Sequence, residues 1–148
     1  MKRWYVAMIV GLMFAGFSTV AFANTPDAAK AMVKKAVVFL KANGKDKALA
    51  EFSNPKGQFV KGELYLTVWD LSGTQIAHGA NAALVGKNLI DLKDSDGKAF
   101  VKEFMAVGKK GSGWVDYKWT NPKSKKIEPK TVYLEVSGDV LIGCGVYK

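Results

Sequence analysis

From Gly111 to Tyr133 the chain reads GSGWVDYKWTNPKSKKIEPKTVY, and no other stretch narrows the fold so far. Two strand-like runs, Trp114–Trp119 and Lys130–Val136, flank a polar loop bounded by Pro122 and Pro129. Such a pair predicts a β-hairpin, and a hairpin commits this part of the chain to an antiparallel sheet. Alternation sends Val115, Tyr117 and Trp119 to one face and Trp114, Asp116 and Lys118 to the other. An aromatic wall with a few polar tips suits a small polar ligand. The same residues also make a plain hairpin over a large aromatic core, because buried aromatics are ordinary.

The remaining elements are spaced to complete such a sheet. Asp27–Ala42 carries Ala29, Met32, Val33, Ala36, Phe39 and Leu40 at helical spacing, with lysines opposite. Thr25-Pro26-Asp27 opens this helix and Asn43-Gly44 closes it. Asp46–Phe52 reads as a short second helix with Asp46 at its N-cap. Leu64, Leu66 and Val68 alternate with Tyr65, Thr67 and Trp69, and Asp70-Leu71-Ser72-Gly73 turns the chain into a return strand. Gly79–Leu92 is a long connection with little periodicity, opened by His78, the only histidine. A lone histidine is more often a hydrogen-bonded structural residue than a ligand contact.

Asp91, Asp94, Asp96 and Gly97 invite comparison with a calcium loop, but the register would put Leu92 at the first ligand position. Asp94 or Asp96 is instead expected to cap a helix from about Gly97 to Val107, with Phe100, Val101, Phe104 and Met105 buried. In the last strand Val140, Ile142, Cys144 and Val146 face one way, and Leu141, Gly143, Gly145 and Tyr147 the other. The two glycines leave room for something to approach closely. The expected fold is α+β: a single antiparallel sheet of about five strands, a long N-terminal helix across one face, and a loop and helix capping the other.

Lys2 and Arg3, the apolar run Trp4–Phe17 and the Ala21-Phe22-Ala23 motif read as a secretory leader over 1–23, leaving 24–148 as one domain. An uncleaved anchor is the alternative. The formal charge is +9, yet Arg3 is the only arginine. Lysine is a hydrated point charge without the phosphate-matching fork of arginine, so a solvated surface is expected and nucleic acid is not. Cys144 has no partner for an intramolecular disulfide and suits a small buried hydrophobe. No nucleophile motif, haem site, zinc spacing or phosphate loop is present, and a His78–Cys144 pair is the one formal catalytic possibility. No enzyme activity and no cofactor are expected.

The stretches LYLTVWDLSGTQIAHGANAALVGKNLIDLKDSDGKAF, GSGWVDYKWTNP, EPKTVYLEV and GCGVYK together resemble the single Cache domains, PAS-like extracytoplasmic sensor modules of bacteria. The chain is especially similar to small stand-alone secreted forms. Many members carry His-Pro where this chain has His78-Gly79. The resemblance implies a periplasmic module that binds a small organic ligand, often a short carboxylate, in a pocket on the sheet. It implies His78, Trp114, Tyr117, Lys130 and Tyr133 as lining residues, with Tyr65 in addition. Lys130 would neutralise a carboxylate, the tyrosines would donate hydrogen bonds, and Trp114 would form an apolar wall. Strand parity sets Lys130 and Tyr133 on opposite faces unless a bulge after Pro129 intervenes, so at least one is expected outside the pocket. A stand-alone sensor, as a monomer or weak dimer, would signal through a separate membrane receptor or histidine kinase. The alternative is an accessory envelope protein acting through protein or anionic-polymer contacts, without a small ligand.

Overall fold

A computed structural model describes residues 23–148. Apart from Ala23, the expected leader lies outside the described residues. Among those residues, no helix is long and apolar enough to cross a membrane.

Helix α1 spans Pro26–Asn43, its first turn capped by the Thr25 hydroxyl, which accepts the Ala28 N–H. Ala29, Met32, Val33, Ala36 and Val37 form its buried stripe. Helix α2, Lys45–Phe52, follows after Gly44 alone, whose φ of +83° lets the chain turn without a linker. Asp46 therefore sits inside the first turn of α2 and is not its N-cap. Helix α3 spans Phe100–Lys110.

The sheet has six strands: β1 Val60–Lys61, β2 Leu64–Asp70, β3 Gln75–His78, β4 Ser112–Thr120, β5 Ile127–Ser137 and β6 Val140–Tyr147. The sixth, beyond the five expected, is the two-residue β1. All pairings are antiparallel: β1 and β3 pair with β2, and β6, β5 and β4 follow in that order. The C-terminal strand β6 is thus central, and every one of its residues is buried. Helices α1 and α2 pack on the face bearing Leu64, Leu66, Val68, Ile142 and Cys144. Helix α3 packs on the other face, against Trp69, Tyr117, Val132, Leu134 and Leu141.

The start of α3 differs from expectation for a definite reason. Asp94 Oδ1 accepts the N–H groups of Asp96 and Lys98, and Oδ2 accepts the N–H of Lys118 on edge strand β4. These bonds hold the Asp94 carboxyl below its ordinary pKa despite some burial. The carboxylate is used to pin the loop to the sheet edge, so α3 begins at Phe100 with no side-chain cap. Covering this edge also blunts a strand that would otherwise offer unpaired backbone groups to another chain.

Candidate ligand-binding site

Strand β5 pairs in continuous register with both β4 and β6. Period-2 parity is therefore kept, and Lys130 points with Val132 and Leu134 to the α3 face. Its side chain is 1 % exposed. The space it fills comes from Gly145 on β6: a Cβ there would collide with Lys130 Cε and stand 3.0 Å from the Thr131 carbonyl oxygen. Lys130 Nζ donates to Tyr65 Oη at 2.8 Å. It lies 4.1, 4.8 and 5.9 Å from the ring centroids of Tyr65, Tyr147 and Tyr117.

The proton order in this cluster follows from its last member. Tyr147 Oη donates to the Thr120 carbonyl at 2.9 Å. Its oxygen must then accept the Tyr65 hydroxyl proton across 2.8 Å. The result is a directed chain from Lys130 through Tyr65 and Tyr147 to Thr120, in which each bond polarises the next. Burial raises the pKa of Tyr65 and Tyr117 and pushes that of Tyr147 to about 12, so all three phenols stay neutral. Among the described residues, no ion pair reaches Lys130. Rings alone solvate an ammonium poorly, and burial draws the Lys130 pKa down to about 7.

Two spaces adjoin this cluster. An inner chamber of about 10 Å³ lies among Thr67, Trp69, Gln75, Phe100, Tyr117 and Trp119. That is room for about one water-sized atom. An outer cleft of about 280 Å³ lies among Ala80, Asn81, Thr120, Pro122 and Lys125. Tyr65, His78 and Trp119 form walls of both.

His78 serves structure and cavity at once. Its Nδ1 accepts the N–H groups of Ala80 at 3.1 Å and Asn81 at 2.8 Å, so the ring proton belongs on Nε2. Burial first, and Lys130 second, lower its pKa to about 3, and the ring is neutral. Gln75 reaches the chamber because Ile76 is an extra residue in the β2–β3 register, between the pairs Val68–Ala77 and Trp69–Gln75. Without that bulge Gln75 and His78 would face opposite ways. The Gln75 amide nitrogen donates to Thr67 Oγ1 at 2.5 Å and to the Ala77 carbonyl at 3.1 Å. Lys125, at the cleft, has φ +63°. Its loop is fixed by buried Asn121, which donates to Glu63 and Glu128 and accepts the Lys123 N–H on Oδ1.

The six expected lining residues divide. Tyr65, His78 and Tyr117 line the chamber. Lys130 lines neither chamber nor cleft but, with Tyr117, a separate hollow of about 230 Å³ that Asp94, Asp96 and Asp116 also border. Trp114 and Tyr133 lie on the opposite face, paired across β4 and β5 with ring centroids 5.2 Å apart. There the Tyr133 hydroxyl donates to Glu135, and Lys30 Nζ sits 5.3 Å from its ring. Tyr65, His78, Tyr117 and Lys130 thus gather on one face, and the unbroken parity of β5 sends Tyr133 to the other, as the strand alternation implied. His78 and Cys144 are likewise separated by the sheet. Cys144 Sγ lies 3.8 Å from Met32 Sδ beneath α1, and burial pushes its thiol up to about 12. A further hollow of about 240 Å³ beside α1, near Met32, Lys35 and Leu64, contains none of the six.

Trp69, Gln75, Trp119 and Tyr147 are the cavity and cluster residues not expected from the sequence. Parity with Tyr65 and Tyr117 carried the signal for Trp69 and Trp119, and parity with Gly145 carried it for Tyr147. The bulge at Ile76 left none for Gln75.

Comparison with known proteins places this arrangement. The description of Single Cache domain 2 fits residues 23–148, nearly the whole chain. The chain belongs to the single Cache domain 2 family. Cache domains are extracytoplasmic ligand-binding sensor modules, found in chemoreceptors and histidine kinases. This one is 36% identical over 86 residues to the sensor histidine kinase MctS of Rhizobium johnstonii. It is 33% identical over 86 residues to the methyl-accepting chemotaxis protein McpP of Pseudomonas putida. The matches cover 56% of this chain but only 18% and 16% of those relatives, so the Cache domain spans a small part of their length. Among solved structures it resembles a methyl-accepting chemotaxis protein of Vibrio parahaemolyticus, with TM-score 0.71 and 29% identity over 82% of this chain and 86% of that one. It also resembles a Cache chemosensory domain studied for carboxylic acid recognition, with TM-score 0.64 and 28% identity over 82% and 86%.

Proposed function

We propose that this Cache domain is a periplasmic sensor module whose ligand is a small organic acid bound between the inner chamber and the outer cleft. It acts by binding and not by catalysis, reaches the periplasm through a cleaved leader, and reports to a separate membrane receptor or histidine kinase. The observation that carries the reading is Lys130: a buried amine bonded to the chamber residue Tyr65, without an ion pair among the described residues. A buried charge without a counter-charge is costly, and a ligand carboxylate would relieve that cost. Lys130 is tied to the chamber through Tyr65, whose oxygen accepts its N–H at 2.8 Å. His78 would couple the ligand to the 79–92 loop, since its Nδ1 already holds two of that loop's N–H groups.

This reading fixes a pH dependence. The amine must be protonated to receive an anion, and its pKa without ligand is about 7. Affinity for a carboxylate is therefore highest at about pH 6 and falls as pH rises through 7. The loss approaches about tenfold per pH unit until the raised pKa of the bound state is reached. Titrations at several pH values check this, and a flat profile from about pH 6 to 9 would remove Lys130 from the binding step.

The identity of the ligand class is tested by thermal shift against small carboxylates, amino acids, amines and purines. A ligand that binds only the folded state stabilises it by roughly 2.7 kcal/mol at a hundredfold excess over Kd. Carboxylates alone should raise the Tm. A shift confined to amines or purines would reject the acid.

A further inference from the structure

The inner chamber has a polar group that the cluster around Lys130 does not use. Trp69 is 3 % exposed and forms a chamber wall, yet its indole Nε1 is buried without a hydrogen-bond partner. Buried donors are nearly always satisfied, so an orphan beside a cavity is a marked position. The ring is packed in place, with Phe104 edge-on at 5.8 Å and 71°.

The other polar atoms of the chamber are largely committed. The Gln75 amide nitrogen serves Thr67 and Ala77, the Tyr65 hydroxyl serves Tyr147, and His78 Nδ1 holds two backbone N–H groups. Among the groups left to meet a ligand are the Trp69 indole N–H and the His78 Nε2–H, with the Tyr117 hydroxyl and the Gln75 amide oxygen beside them. The indole and imidazole N–H groups only donate, so this wall of the chamber favours an acceptor oxygen. At about 10 Å³ the chamber admits one such atom and not a whole molecule.

From this fixed, unpartnered donor on a side chain that walls a one-atom space, we propose that Trp69 is a ligand-binding residue of the domain. Its indole N–H takes one oxygen of the acid in the inner chamber, while the carbon chain lies toward the outer cleft. The proposal rests on the small-acid reading and adds to it the residue that reads the oxygen. Substituents on the carbon chain then meet the cleft and its Lys125, whereas the inner end tolerates no atom beyond that oxygen.

The test uses the protein labelled with ¹⁵N and titrated to saturation with acetate, propionate and butyrate. The indole N–H signal of Trp69 is assigned by its loss in Trp69→Phe. If that variant does not fold, Trp4→Phe, Trp114→Phe and Trp119→Phe assign it by elimination. The expected result is a downfield shift of the Trp69 indole proton on saturation, together with an affinity about tenfold or more weaker in Trp69→Phe. An unshifted Trp69 signal in saturated protein, or a Trp69→Phe affinity within about twofold of wild type, overturns the proposal and leaves the acid reading standing. Failure of all three acids to bind the wild-type protein overturns both.

Discussion

Replacing Lys130 by Met is expected to weaken carboxylate binding by about a hundredfold or more, while leaving the protein folded and at least as stable at about pH 6. The two effects have one origin. Lys130 is buried among the Tyr65, Tyr117 and Tyr147 rings, with a single hydrogen bond and no ion pair among the described residues. Its pKa falls from an ordinary 10.5 in the unfolded chain to about 7 in the folded one. Folding therefore expels a proton between these values. The amine subtracts nothing from stability above the unfolded value; the penalty grows as pH falls toward 7 and is constant below. A thioether of similar length removes that penalty and fills the same space. The Lys130 bond to Tyr65 is lost, but the Tyr65 proton still goes to Tyr147. A residue that costs stability at the pH where it is charged, and is retained within a cavity cluster, has the pattern of a functional group. A large fall in Tm at about pH 6 for Lys130→Met would show instead that the amine is structural.

Gly145→Ala is expected to destabilise the protein by about 3 kcal/mol, the upper end for overpacking a core. The added methyl would collide with Lys130 Cε, with Lys130 Cγ at 3.1 Å and with the Thr131 carbonyl oxygen at 3.0 Å. Strand β6 is central and paired on both sides, so the backbone has little freedom to move away. The first two contacts disappear in a Lys130→Ala background, where the same substitution should cost about 1 kcal/mol, and denaturant unfolding of the four proteins measures the difference. Equal cost in both backgrounds would mean that Gly145 is held by the Thr131 backbone and makes no space for the amine.

Most of the architecture was legible from hydrophobic period. The alternations in β2, β4 and β6 assign each side chain to the face on which it is found, because these strands carry no break in parity along those runs. Parity also warned that Lys130 and Tyr133 could not share a pocket, and the continuous register of β5 sends Tyr133 to the α1 side. Three features were not legible, each for a local reason. Asp94 has the sequence position of a helix cap, but its carboxylate is taken by the Lys118 N–H, a partner 24 residues away. Asp46 lies inside α2 because Gly44 joins two helices directly. Gln75 entered the chamber through the bulge at Ile76, which no alternation pattern reveals. Tyr147 was visible as a face neighbour of Gly145, but its place in the proton chain depends on the Thr120 carbonyl, and only the tertiary structure brings that oxygen near.

The central claim is that a ligand carboxylate is received by the Lys130 amine in its charged form. Calorimetric titration at about pH 8, in buffers of different ionisation enthalpy, with the tightest-binding acid of the panel tests it most directly. An amine with a pKa of about 7 is mostly neutral at that pH. Binding should then draw about nine-tenths of a proton from the buffer, falling to about one-tenth at pH 6. Binding without proton uptake at either pH would contradict the claim, because the anion would then be held by groups that do not titrate with it.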